Sequence, residues 1–138
     1  MLKKLIDTNI FIDRFANPEM FREIFNSEGV VVLSAVVLME LRAGAHDRQA
    51  LKAVHQLYYF FRKTDRVVVP SAADYEKSGM IIAQLQKAKG YEAGKSASIT
   101  NDCLIAASAK SAGAAIYTRN RKDFEAIKSV FDCRVEFV

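Results

Sequence analysis

A chain of 138 residues has the length of one domain, since domains run to roughly 100–200 residues. Apolar residues make up 51% and charged residues 26%, which excludes a disordered, collagen-like or low-complexity chain. With 20 Lys and Arg against 16 Asp and Glu, the net charge of +4 is compatible with a nucleic-acid partner without demanding one. Cys103 and Cys133 are the only cysteines, and no Cys-x-x-Cys occurs, so neither a zinc fold nor a disulfide scaffold is expected. The longest apolar stretch, residues 29–39, is interrupted by Ser34 and falls far short of the ~20 residues of a membrane span. The apolar part of the N-terminus stops at Asp7, too early for a signal peptide. The expectation is one soluble cytoplasmic domain over residues 1–138.

Short apolar runs alternate with helical patterns along the chain. Residues 2–6 read as a strand stopping at the polar turn DTN (7–9). A helical turn begins over 10–15, and Pro18 opens a second helix over 19–26. After Gly29, the β-branched run 30–33 reads as a buried strand. Ser34 is the expected N-cap of a helix that runs to Gly44. Leu51, Val54, Leu57, Tyr58 and Phe61 give an amphipathic helix over 47–63. A third strand covers 67–69, and a long helix covers 72–89 and ends at Gly90. The Gly/Ser-rich stretch 90–98 reads as a mobile loop. A helix over 100–112, a strand over 114–117, a short helix over 122–129 and a last strand over 133–137 complete the chain.

Strands alternating with helices imply an α/β fold with a mostly parallel sheet covered on both faces. In such sheets the functional crevice lies beyond the carboxyl ends of the strands, at a topological switch point. Four acids belong to that region. Asp7 directly follows the first strand, with no apolar or capping role that requires its charge, and Asp123 lies shortly after the fourth. Glu40 is in phase with the apolar stripe Val36, Val37 and Leu41, and Asp102 with Ile105, Ala106 and Ala109. An inward carboxylate is costly unless compensated. Singly, Glu40 could pair with Arg42 or a lysine, and Asp102 could gain ~0.3–1 kcal/mol at a helix N-terminus. Together, four acids in one crevice repel and call for a divalent cation. Hard oxygen ligands without nearby His or Cys suit Mg²⁺ or Mn²⁺.

The segments LIDTNIFID (5–13), SAVVLMELRAG (34–44), NDCLIAASAKSAG (101–113) and IYTRNRKDFEAI (116–127) resemble the PIN-domain ribonucleases, and among them the VapC-type toxins of toxin–antitoxin pairs. The resemblance covers essentially the whole chain. It implies a three-layer α/β/α sandwich with a mostly parallel sheet of four to five strands. It also implies a Mg²⁺- or Mn²⁺-dependent endoribonuclease, a homodimer or larger toxin–antitoxin assembly, and neutralisation by a small antitoxin. The family's first three acids match Asp7, Glu40 and Asp102. The fourth falls at either of two positions of T-x-N-x-x-D, where Asn120 stands at the first and Asp123 at the second. Asn9 and Thr118 resemble the family's polar support residues, which fix carboxylate rotamers. Asn9 reads equally as a turn or cap residue.

The residue types then set the chemistry. His46 and His55 fall on or beside the helix after Gly44, Ser34 reads as a cap and Cys103 as core filler. No general-base histidine or activated nucleophile is left, so hydrolysis would rest on metal-activated water attacking the scissile phosphorus. Asp7 and Asp102 would be ligands, Glu40 would complete the sphere or orient the water, and Asp123 would bind directly or through water. Arg14, Arg42, Arg119, Arg121 and Lys122 are candidates to hold an RNA backbone, each equally readable as solvated surface. Tyr58, Tyr59, Phe60 and Phe61 could stack on bases, but their helical spacing favours core or dimer packing. Two other readings stay open: a housekeeping PIN nuclease of RNA processing, and a non-catalytic PIN-like scaffold for RNA or protein. Retention of three acids and a candidate fourth argues against the scaffold.

Overall fold

The computed structural model describes residues 2–91 and 97–138. Five strands, β1 (Lys3–Ile6), β2 (Val30–Ser34), β3 (Val67–Val68), β4 (Ala114–Thr118) and β5 (Val135–Phe137), form one sheet in the order β3-β2-β1-β4-β5. Every strand pair is parallel. Consecutive residues of β1, β2 and β4 are buried, as in strands covered on both faces. The covering helices are α1 (Thr8–Ala16), α2 (Arg22–Asn26), α3 (Ala35–Ala43), α4 (Arg48–Lys63), α5 (Ala72–Lys89), α6 (Ala97–Ala112) and α7 (Arg121–Val130). This is the expected α/β sandwich, with the higher of the two strand numbers.

Local chemistry accounts for most boundaries. The Ser34 hydroxyl accepts from the amides of Val36 and Val37 and starts α3 directly from β2. Asp47 caps α4 through the Ala50 amide, and Ser71 with Asp74 forms a capping box on α5. Gly29 adopts φ 111° where β2 enters beside β1, and a Cβ there would meet the Leu2 carbonyl oxygen at 2.7 Å.

Three expectations need correction. The helix after Pro18 begins only at Arg22, because Asn17 accepts the Glu19 amide in a side-chain turn and Phe21 sits at φ 56°. Helix α6 begins at Ala97 rather than Thr100, with Ile99 buried at its start. Asp102 is therefore beyond the first turn, and the dipole reading of its charge fails. Of the expected loop over 90–98, residues 92–96 lie outside the described residues. The first strand buries a cation: Lys4 is 1% exposed, and its ammonium donates to the Ile24 and Ser27 carbonyls and the Ser27 hydroxyl. Those bonds tie the end of α2 to the sheet and satisfy the buried charge.

Strand order reverses around β1: β2 and β3 follow on one side, β4 and β5 on the other. The carboxyl ends of β1 and β4 thus open the crevice that such a switch point creates.

Candidate active site

Asp7 leaves β1 at this point, and its amide donates to the Tyr117 carbonyl of β4 at 2.9 Å. The residue is 4% exposed. Oδ1 accepts the Thr8 amide at 2.8 Å, so Asp7 is the N-cap of α1, which corrects the expectation that it has no capping role. Oδ2 accepts from the Thr118 hydroxyl at 2.6 Å and the Asn9 amide group at 3.3 Å. Asn9 also accepts the Arg119 amide through Oδ1, linking α1 to the end of β4. Burial raises the Asp7 pKa, the Thr118, Thr8 and Asn9 bonds oppose that, and the charge of Glu40 adds to it.

Glu40 projects from α3, half-buried. The Thr8 hydroxyl donates to Oε1 at 2.7 Å and the Asn101 amide to Oε2 at 3.4 Å. The alternative reading, a pairing with Arg42 or a lysine, is not met among the described residues; two residues apart on a helix, Glu40 and Arg42 face different ways.

Asp102 lies on α6 and is 3% exposed. Burial pushes its carboxyl up to about 9, and the charges of Asp7, Asp123 and Glu40 contribute to the rise. All four acids therefore share one electrostatic field. Asn120 stands between two of them, its Nδ2 donating to Asp102 Oδ2 and Asp123 Oδ2, each at 3.1 Å. Its Oδ1 accepts the Asp123 amide and caps α7. Tyr91 donates to Asp123 Oδ1 at 3.3 Å. Asn120 and Asp123 thus occupy the same corner, the first as a donor between carboxylates and the second as a carboxylate.

Among the described residues no lysine or arginine is bonded to these acids, and no three His, Cys, Asp or Glu side chains are placed to hold a metal ion between them. Amides and hydroxyls separate the carboxylates instead. The donor chemistry still fits a small hard cation, since Mg²⁺ takes one or two carboxylates and keeps several waters.

The sequence reading missed Thr8, Asn101 and Tyr91. Thr8 and Asn101 had a signal, each adjoining a candidate acid; Tyr91 lies 32 residues from Asp123 and had none. The predicted bases divide. Arg14 stacks on Phe25 at 4.1 Å and donates to the Met20 carbonyl. Arg119 pairs with Asp13 at 3.0 Å, and Arg121 pairs with Glu125 at 3.0 Å while lying over Phe137. Arg42 and Lys122 are exposed. His46 and His55 are exposed too, outside the cluster.

The PIN domain model matches residues 4–129, a span that contains every acid of the crevice. The chain belongs to the PIN-domain family. It is 35% identical over 129 residues to the tRNA(fMet)-specific endonuclease VapC of Shigella flexneri, covering 92% of this chain and 93% of that one. The structure of DNA-bound VapBC from Salmonella typhimurium superposes with a TM-score of 0.75 at 31% identity, over 99% and 98% of the two chains. VapBC-1 from nontypeable Haemophilus influenzae gives 0.70 at 25% identity, again over 99% and 98%. The PIN frame accounts for the spacing of the motifs: each segment delivers one acid to the same end of one sheet.

Proposed function

We propose that this PIN domain is a Mg²⁺- or Mn²⁺-dependent endoribonuclease and the toxin of a type II toxin–antitoxin pair. The observation that carries the reading is a crevice in which buried Asp102 lies in the field of Asp7, Asp123 and Glu40, and in which the hydrogen-bond partners of these carboxylates are neutral donors. Such an arrangement is destabilising by itself and favourable around a cation. Asp7 and Asp102 would hold the ion, with Glu40 and Asp123 completing its surroundings directly or through water. Such an ion would supply neutralisation of charge at the scissile phosphate and a lower pKa for a water beside it.

The chain's own groups do the rest. Thr118 and Asn9 fix the Asp7 rotamer, and Asn120 sets Asp102 against Asp123. Glu40, held through both oxygens by Thr8 and Asn101, is oriented to take the proton from the attacking water. Exposed Arg42 and Lys122 are the bases free to meet the RNA backbone, with Arg119 at the rim through its pair with Asp13. The name of the Shigella relative makes tRNA the first substrate class to test. The VapBC complexes among the structural relatives support an antitoxin partner. An open groove of about 480 Å³ between α1, α3 and α4 reaches Glu40, and Ile12, Phe15 and Leu41 line it. That groove would seat an apolar helix of the antitoxin against the crevice. A homodimer is part of the same proposal.

The test is cleavage of a tRNA panel with Mg²⁺, Mn²⁺ or chelator, by the parent chain and by Asp7→Asn. Metal-dependent internal cuts that fall at least ~10²-fold in the variant are expected. Equal cleavage in chelator, or full activity of Asp7→Asn, would remove the metal site from the mechanism.

A further inference from the structure

Helix α4 carries a charge distribution that the cleavage chemistry does not use. It holds four cations, Arg48, Lys52, Arg62 and Lys63, and no acid. The chain's other 16 basic residues are matched by its 16 acids, so this helix carries the equivalent of the whole net charge of +4. At 3.6 residues per turn, Arg48, Lys52, His55, Tyr59, Arg62 and Lys63 fall within an arc of about 100°. All six are exposed, whereas Val54 and Phe61 lie on the opposite side of the helix and are buried. None of the four cations has a carboxylate partner among the described residues.

Aromatic rings are interleaved with these charges. Tyr59 is 57% exposed, with the Lys63 ammonium 5.7 Å from its ring centre. Arg62 lies 5.2 Å over Tyr58, and Arg66, just beyond the helix, 5.0 Å over exposed Phe60. Of the four aromatics expected to pack in a core or dimer, only Phe61 is buried. Arg48, Lys52, His55 and Tyr59 line one shallow groove of about 460 Å³. His55 and Tyr58 line a second groove with Arg42 of α3, so the positive surface continues onto the helix that bears Glu40.

Unpaired cations beside exposed rings match a polyanion with flat bases. A second copy docked symmetrically on this face would set four cations against four. We propose that the outer face of α4 is an auxiliary RNA-binding surface, gripping the backbone and unstacked bases of the substrate outside the crevice. The proposal rests on the endoribonuclease reading and supplies it with a second point of attachment.

The test is binding of a tRNA transcript, in chelator, from 50 to 200 mM salt, by the parent chain and R48Q/K52Q/R62Q/K63Q. Each lost phosphate contact lowers the slope of log affinity against log salt by about 0.7–0.9, so a fall of about three is expected, with at least ~tenfold weaker binding. Tyr59→Ala weakens binding about tenfold through lost stacking, while Tyr59→Phe retains it. Cleavage of a short single-stranded oligonucleotide by the quadruple variant stays within about twofold of the parent. If the quadruple variant melts early, K52Q/K63Q serves, with about half the change in slope. Unchanged affinity and slope overturn the proposal, as does loss only of self-association or of binding to a co-purified protein partner. Failure of the nuclease reading shows separately, as no oligonucleotide cleavage by the parent, while the loss of tRNA binding on charge removal still stands.

Discussion

Asp102 is 3% exposed, in the field of Asp7, Asp123 and Glu40, and its carboxyl is pushed from an ordinary 3.8 up to about 9. Below pH 3.8 the folded and unfolded chains both carry the proton, and the shift stabilises the fold fully. Between about 4 and 9 the unfolded chain has released it and the folded chain retains it, so the contribution falls as pH rises. Above about 9 it is gone. The raised Asp7 carboxyl acts in the same direction. In chelator, the melting temperature of the parent chain should therefore fall from pH 5.5 to pH 8.5, and Asp102→Asn should flatten that slope. Melting curves of the two chains across this range provide the check, and parallel slopes would mean that Asp102 is ionised without cost. Asp102 and Glu40 were readable as site residues because each broke an apolar stripe. The donors that set their orientation were not, because Thr8 and Asn101 reach Glu40 only once α1, α3 and α6 are packed.

Helix ends divide in the same way. Ser34, Gly44 and Gly90 mark theirs by residue type, and α3, α4 and α5 lie close to where the periodicity puts them. Pro18 misleads because turn chemistry at Asn17 and the left-handed backbone of Phe21 delay α2 to Arg22. The start of α6 misleads because the Gly- and Ser-rich composition of 90–98 reads as loop, yet the helix already runs from Ala97. Helix α7 makes the coupling between element and site testable. Asn120 caps it through Oδ1 while its Nδ2 bridges Asp102 and Asp123. Asn120→Ala should cost about 1 kcal/mol, the usual value of an N-cap, and lower the melting temperature by about 3–4 °C. Asn120→Ser should restore most of the cap and none of the bridge. Nuclease activity should then stay 10–100-fold down, roughly as for a lost supporting contact around a metal. Recovery of activity together with stability in Asn120→Ser would assign Asn120 to the helix alone.

At the scale of the molecule, the alternation of elements implied a parallel sheet but left its order open, because every order with right-handed crossovers has the same pattern. With β1 at the centre, Asp7 from its end, Glu40 from α3, Asp102 from α6 and Asp123 from α7 come together from segments spread over 117 residues. No part of the unfolded chain holds such a site, so a cation held by it should stabilise the folded state in full. At ~100-fold excess over Kd the gain is about 2.7 kcal/mol. At about 3–4 °C per kcal/mol for a chain of this size, Mn²⁺ should raise the melting temperature by about 10 °C at pH 8. The rise should shrink at pH 5.5, where displacing the proton that burial keeps on Asp102 costs more than at pH 8. D7N/D102N should melt at or above the metal-free parent, because repulsion in the crevice falls, and should gain nothing from Mn²⁺. An equal gain in D7N/D102N would locate the bound ion away from the ends of β1 and α6. No gain in the parent at saturating Mn²⁺ would mean that the crevice binds no cation without an RNA phosphate.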